Sequence, residues 1–323
     1  MNGQTMHRVV LLNDTRVDCH YGCELVVSNL HALCARYGMR VVRTFGKFEF
    51  TGLLQNTAWL NNCDLVLING EGTIHHNAHT GGLLLQLAAL AQAQGKPVAL
   101  INCSWQGNGQ DFMQIAHGLP VVSVRESLSE AEFTAQGGSC RRVPDLTLWN
   151  ARQHPHGMSG SYSDYLARAG KGTQFKMGYT DSVSVRMALE LHAFGRQQGA
   201  QLVAIRFAEP RFPRAFWFVR SLIEKKDLKQ PGLLLRKVGY GSFHYQQIVH
   251  SLPDFLQQVS SLDLLVSARF HAATIALSVG TPFSGSSAGA KSHLHRWPQV
   301  KGFAQGCGLK PRSPGRKYGR LAR

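Results

Sequence analysis

The sequence predicts an α/β protein with two Rossmann-like domains facing a cleft. Three observations lead there. Short apolar runs alternate with amphipathic helical stretches through most of the 323 residues. Most of those runs end in a polar, often glycine-rich loop. Residues 150–175, with HPHGMSGSYS and AGKG, break the alternation and separate two such series. Regular strand–helix alternation implies parallel strands, and a chain this long can bury two cores. The expected division is 1–150, 151–310 and a basic disordered tail over 311–323.

In the first series, Arg8 to Leu12 is an apolar strand and NDTRVDCHYG is its loop. A helix from Cys23 to Arg36 follows, with Leu25, Val26, Asn29, Leu30 and Leu33 at helical spacing. Arg40 to Phe45 is the second strand. Asp64 to Ile68 is the third, followed by the loop NGEGTIHH and a helix over Gly82 to Gln94. Pro97 to Ile101 is the fourth, followed by NCSWQGNG. Val121 to Val124 is the fifth, with Arg125 at its end and a helix over Ser127 to Gln136. A short strand near Arg142 runs into PDLTL. This order brings Asp14, His20, Glu71, His75, Asn102, Arg125 and Asp145 to one edge of a doubly wound sheet.

In the second series, GYTDSV reads as a strand end capped by Asp181 or Ser182, with a helix to about Gln198. Leu202 to Phe207, Gly232 to Val238 and Leu262 to Ser267 read as further strands. The stretch LLVSARFHAAT, Leu264 to Thr274, carries the densest chemistry. A buried strand breaks at Ser267 and enters a helix near His271. In open α/β sheets that position is the ligand crevice beyond the strands' carboxyl ends. Arg269 offers a planar fork of donors for carboxylate or phosphate. His271 can exchange a proton near neutral pH, and the helix N-terminus favours an anion while lowering the imidazole pKa. The stretch fits a small anion with a proton donor beside it.

Composition narrows the classes. Seven scattered cysteines with no C-x-x-C pair argue for a reducing compartment, against a disulfide framework and against a structural zinc site. No apolar run approaches the ~18 residues of a membrane span. A first strand starting near His7 or Arg8 leaves no room for a signal peptide. The expected location is cytoplasmic, with peripheral contact at the inner face of the membrane. The net charge of +16 predicts polyanionic company. That charge is concentrated at the end, because no Asp or Glu follows Asp263 while ten Lys and Arg do. The terminal KPRSPGRKYGRLAR reads as a disordered tail, either docking on acidic lipid or simply solvated. Arg206 to Arg220 interleaves Arg with Phe and Trp, which suits a membrane interface, single-stranded nucleic acid or an ordinary packed helix. Glu71, His75, His76 and His79 invite a metal, but HHNAH lacks the H-E-x-x-H arrangement, so no metal and no cofactor are expected.

SVRE at Ser123 to Glu126, PDLTL at Pro144 to Leu148, GYTDSV, and SARFHA followed by GTPF and Lys291 stand in a definite order. Together they resemble the polysaccharide pyruvyl transferases over roughly residues 8 to 291. Where that family often shows a glycine triplet after the third strand, this chain has Asn69-Gly70-Glu71-Gly72. The resemblance implies a fold similar to two-domain glycosyltransferases. It implies an enzyme that moves the pyruvyl group of phosphoenolpyruvate onto a sugar of a surface polysaccharide or its lipid-linked precursor as a cyclic ketal. Arg125, Arg269 and His271 match the positions expected to hold the donor.

Phosphoenolpyruvate carries a carboxylate and a phosphate, which two arginines from different domains could clamp. His271 is the candidate acid. Glu71, Asp14 and Asp145 are candidate bases for a sugar hydroxyl. Asp145, following a proline, suits a turn or N-cap equally well. His20, His75, Asn102, Asp181, Ser182 and Lys291 complete the expected substrate-binding set. Two other functions compete: a glycosyltransferase using a nucleotide-sugar, and a basic nucleic-acid-binding protein without catalysis. The first is disfavoured because the C-terminal half has few carboxylates and no pair of Glu eight apart. The second rests on charge alone, with no recognised nucleic-acid motif.

Overall fold

The computed structural model describes residues 6–151, 176–181, 185–205, 247, 249 and 251–285. The proposed strand over Gly232 to Val238, the Arg206–Arg220 stretch, Ser182, Lys291 and the basic tail lie outside the described residues.

The first unit is a six-stranded sheet in the order β2-β1-β3-β4-β5-β6, with every neighbouring pair parallel. Its strands are β1 (His7–Leu12), β2 (Met39–Phe45), β3 (Leu65–Glu71), β4 (Val98–Cys103), β5 (Val121–Val124) and β6 (Arg141–Arg142). Its helices are α1 (Tyr21–Arg36), α2 (Phe50–Gln55), α3 (His79–Ala93), α4 (Gln110–His117) and α5 (Ser127–Ala135). A core of Leu12, Ile68, Leu84, Leu87, Leu100, Trp105 and Phe133 fills one face of the sheet. A second core of Val9, Leu11, Val26, Leu30 and Leu67 lies under α1 on the other. Burial on both faces explains why the strands read as continuous apolar runs rather than alternating ones.

The second unit contains a four-stranded parallel sheet in the order β10-β9-β7-β8. Its strands are β7 (Met177–Thr180), β8 (Gln201–Val203), β9 (Leu264–Ser267) and β10 (Phe283–Gly285). Its helices are α6 (Val185–Gln197), α7 (Leu252–Ser260) and α8 (Phe270–Val279). Ser251 caps α7 by accepting from Asp254 N at 3.2 Å, with a proline just inside the helix. Gly280 ends α8 at φ 78°, a left-handed conformation natural to glycine.

Strand order places the site. In the first sheet the order reverses between β1 and β3; in the second it reverses between β7 and β9. Such switch points open crevices beyond the carboxyl ends of the strands. The two units meet through the N-terminus of α1. Tyr21 stacks on Phe255 with ring centroids 4.6 Å apart. Its backbone N–H donates to Ile205 O at 3.0 Å, and its hydroxyl donates to Val249 O. Tyr21 is therefore part of the second unit's core.

The fold class is as expected, with differences where polar residues lie inside strands. The third strand does not stop at Ile68 but runs on to Glu71, and the fourth runs to Cys103 rather than Ile101. Asn69 pairs with Ile101 and Glu71 with Cys103, so these polar residues are ladder members rather than loop. Helix α1 starts at Tyr21 rather than Cys23, because the His20 side chain caps it. The strand expected over Leu202 to Phe207 is observed as Gln201–Val203. Helices α2 and α4 have no counterpart in the sequence reading. Among the described residues, no helix is long and apolar enough to cross a membrane.

Candidate active site

At the first switch point, Asn13 follows β1, β3 ends in Glu71, and β4 contains Asn102. All three have left-handed backbones, with φ of 66°, 39° and 55°. Asn tolerates this region, but for Glu71 it costs of order 1–3 kcal/mol. Surrounding bonds hold it there. Thr15 Oγ1 donates to Glu71 Oε2 at 2.5 Å and Asn69 Nδ2 donates at 3.0 Å. Asn13 Nδ2 donates to Asn69 O at 2.6 Å, tying the two strand ends together. The result is a carboxylate only 3 % exposed, with Oε2 anchored and Oε1 turned towards α1 and α8.

Two side chains approach Oε1. The Cys23 thiol donates from 3.1 Å, and His271 Nε2, from the other unit, lies at 3.3 Å. The His271 contact is off the hydrogen-bond direction, and this buried nitrogen has no hydrogen-bond partner among the described residues. Burial pushes the Cys23 thiol well above its ordinary range, and the Glu71 charge adds to this. Burial also lowers the His271 pKa. Glu71 and Asp145 oppose that fall, while Arg125 and Arg269 reinforce it. Burial, rather than the helix end, is thus the main cause. The His20 ring lies 5.4 Å from that of His271, and its Nδ1 accepts from Gly22 N at 3.0 Å. Gly22 is required here, because a Cβ on it would lie 2.3 Å from His271 Cβ.

Both expected arginines flank this cluster, and both have carboxylate partners. Arg125 is buried. Its Nη1 donates to Asp145 at 2.9 Å and its Nε to Ser104 at 2.7 Å, while Phe270 of α8 covers its face at 4.3 Å. Arg269, the residue before α8, grips Asp181 bidentately at 2.9 and 2.5 Å. This pair sits at the second switch point, where Thr180 and Ser267 hydroxyls also meet at 2.6 Å. Each guanidinium keeps one terminal nitrogen, Arg125 Nη2 and Arg269 Nη1, without a partner among the described residues.

The remaining expected site residues have structural duties. Asp145 caps a short 3₁₀ turn, Leu146–Leu148, by accepting from Thr147 N at 2.9 Å and from its hydroxyl at 2.7 Å. Burial raises its pKa, but Arg125, His271 and the Thr147 bonds outweigh that and hold the carboxyl below the usual range. Asp14 caps the turn Thr15–Asp18 and chelates Arg16. Burial again opposes its charge, and Arg16 more than offsets this, so it too is held low. Neither is a ready base. Asn102 accepts from Leu146 N at 3.2 Å and donates to Asn69 at 3.3 Å, fixing the turn that carries Asp145. Asp181 serves as the Arg269 counter-ion. His75 is exposed beside His76 and bridges to Gln106, so the structure does not bring it into the Glu71 cluster. His76 and His79 are exposed as well.

Thr15, Asn69, Ser104, Phe270 and above all Cys23 were not anticipated. His20 and Cys23 are three apart at a helix start, so both face one side of the first turn. That spacing was the available signal.

A buried carboxylate–imidazole pair thus lies between two guanidiniums where the two parallel sheets meet. The chain belongs to the polysaccharide pyruvyl transferase family, whose pattern it matches over residues 20–286, and it is a transferase enzyme. No curated protein matches the sequence. Among solved structures, it is similar to S. aureus MnaA with UDP at 10% identity and TM-score 0.48, covering 86% of this chain and 79% of that one. It is similar to the UDP-GlcNAc 2-epimerase from Methanocaldococcus jannaschii at 7% identity and TM-score 0.45, covering 86% and 82%.

Proposed function

We propose that the enzyme transfers the pyruvyl group of phosphoenolpyruvate to two hydroxyls of a saccharide acceptor, free or lipid-linked, forming a ketal and releasing phosphate. The observation that carries this is the Glu71–His271 contact, formed between the two units and bracketed by Arg125 and Arg269. The donor's two anionic groups match the free ends of the two guanidiniums. His271 supplies the proton that converts the donor's methylene carbon to a methyl group. The electron-poor central carbon then takes the oxygen of one sugar hydroxyl, whose proton passes to Glu71. The second hydroxyl displaces the phosphate from the same carbon, and its proton leaves with the phosphate. Glu71 Oε1, which receives a proton, lies 3.3 Å from the His271 Nε2 that gave one up.

The resting imidazole is held neutral by burial. A bound phosphate beside it favours the charged form, so the acid forms in the donor complex. Catalysis needs no cofactor beyond the donor, and basic residues near the chain end contact the anionic face of a membrane where the acceptor is lipid-linked. Asp14, His20 and His75 stand outside the proton path in this reading, and Asp145 and Asp181 set the positions of the two arginines. The test is incubation with phosphoenolpyruvate and a panel of saccharides, read by mass and by phosphate release. A product heavier than its acceptor by one pyruvic acid less one water, with one phosphate released, supports the reading. Calorimetry gives the second arm: wild-type donor affinity in Arg269→Ala would remove this arginine from the donor site.

A further inference from the structure

We propose that His20, Cys23, Glu71 and His271 form a site for a borderline-soft divalent cation of the zinc type, and that filling it silences the enzyme. The sequence reading expects no metal at the loop with His75, His76 and His79, and those rings are exposed. Among the described residues, the His and Cys group that converges is His20, Cys23 and His271, whose ligand atoms all lie within 4.8 Å of one another. Glu71 Oε1 completes it, 3.1 Å from Cys23 Sγ and 3.3 Å from His271 Nε2. Donors around tetrahedral zinc sit at about 2.0–2.3 Å from the metal, and therefore roughly 3.3–3.8 Å from one another. The His20, Cys23 and His271 atoms, up to 4.8 Å apart, need to close by about 1.0–1.5 Å, and Glu71 Oε1 must also move towards His20.

The chemistry is matched on three counts. A thiolate with two imidazoles selects zinc-like cations over magnesium or calcium, which prefer all-oxygen shells. The thiolate and the carboxylate together balance a +2 charge, and two neutral imidazoles complete four ligands. Glu71 Oε2 is already held by Thr15 and Asn69, which leaves Oε1 oriented as a ligand with its outer support in place. His271 Nε2 adds an independent sign: a buried ring nitrogen with no hydrogen-bond partner among the described residues, 3.3 Å from this carboxylate. Buried polar atoms are rarely left so.

Binding has defined costs. The Cys23 thiol, which donates to Glu71 in the metal-free form, must release its proton to solvent. The His20 ring must give up the bond it accepts from Gly22 to present a lone pair. Once bound, the cation occupies the His271 lone pair and Glu71 Oε1, so neither can carry the transferred protons. The inhibition rests on the function proposed above; the binding does not.

The experiment is a cobalt(II) titration of the reduced, chelator-stripped, full-length protein, followed by zinc displacement. The expected result is one equivalent of cobalt, a thiolate-to-cobalt band in the near ultraviolet, and loss of that band on adding zinc. Cys23→Ser removes the band. His20→Asn keeps a side chain that can cap Gly22, yet weakens cobalt binding by more than about 100-fold, beyond the roughly 10–100-fold that loss of an outer partner costs. Circular dichroism confirms that both variants fold. The site is refuted by no band in the wild type, by the same band in Cys23→Ser, or by unchanged affinity in His20→Asn. If the band behaves as expected but one equivalent of zinc leaves turnover intact, the silencing role falls and the site stands.

Discussion

Asp145→Asn separates a structural carboxylate from a catalytic one. Asp145 and Arg125 form an ion pair at 2.9 Å with side chains 0% and 4% exposed, so solvent screens it little. Asn keeps an oxygen to accept from Thr147, and the 3₁₀ turn survives. What is lost is the negative charge, leaving the buried guanidinium, among the described residues, with the Ser104 hydroxyl and the Phe270 face. Removing one member of a buried pair typically costs about 3–5 kcal/mol. For a folding unit of this size each kcal/mol lowers Tm by about 2–4 °C, so the expected drop is roughly 6–20 °C. The pH dependence follows from the direction of the shift. The folded-state pKa of Asp145 is depressed, so its contribution is fully present above the unfolded value near ~3.9. It is lost as pH falls through the lower folded value. The gap between wild type and Asp145→Asn is therefore flat around neutrality and closes only in acid. Calorimetric or fluorescence melts from pH 3 to 8 measure it. A variant that melts within about 2 °C of wild type at pH 7 but has lost turnover would refute the argument, since the expected drop is several-fold larger. Asp145 would then be the base and Arg125 would be balanced elsewhere.

Three further outcomes are expected, all measured with a chelator present. His271→Gln lowers kcat by about 10²–10⁴-fold, the usual worth of a general acid, while the donor Kd from calorimetry barely moves because both arginines remain. If kcat holds and affinity collapses, the ring binds rather than donates. Glu71→Gln keeps an acceptor for Thr15 but cannot take a hydroxyl proton, so kcat falls by about the same factor with the melting temperature lowered only modestly; near-normal turnover removes Glu71 as the base. Gly22→Ala pushes a Cβ to within 2.3 Å of His271 Cβ, whereas Gly52→Ala meets nothing within 4 Å. The first costs about 1–3 kcal/mol and most of the turnover without touching an ionisable group, and the second leaves activity unchanged; equal activities would show that His271 tolerates displacement.

The apolar runs and their alternation with helices made the parallel sheets legible, whereas the strand order came only with the structure. The polar ends of β3 and β4 were not legible, because Asn69 and Glu71 pair as strand and Asn102 lies within β4 while all three look like loop. Glu71 still stood out in the sequence, as a carboxylate with no turn role inside NGEG. Arg125 and Arg269 stood out at strand ends. Their partners did not: Asp145 and Asp181 are 20 and 88 residues away and were read as a base and a ligand, because counter-ion pairing is set by tertiary packing. Cys23 was hidden by its place in an apolar helix pattern.

That each arginine comes with its own carboxylate bears on how the site can work. A guanidinium has five donors, and a bidentate carboxylate uses two. The pair is therefore not a spent charge but a positioned one. Asp145 with Ser104 fixes Arg125 on the first sheet, and Asp181 fixes Arg269 on the second. The free ends stay directed without the entropy that a long solvated side chain would lose on binding. Phe270 extends this logic between the units, since it follows Arg269, precedes His271 and covers Arg125. A shift of α8 would move the acid, one arginine and the cover of the other together. The alignment of Glu71 with His271 is thus governed by the docking of two units through Tyr21 and Phe270.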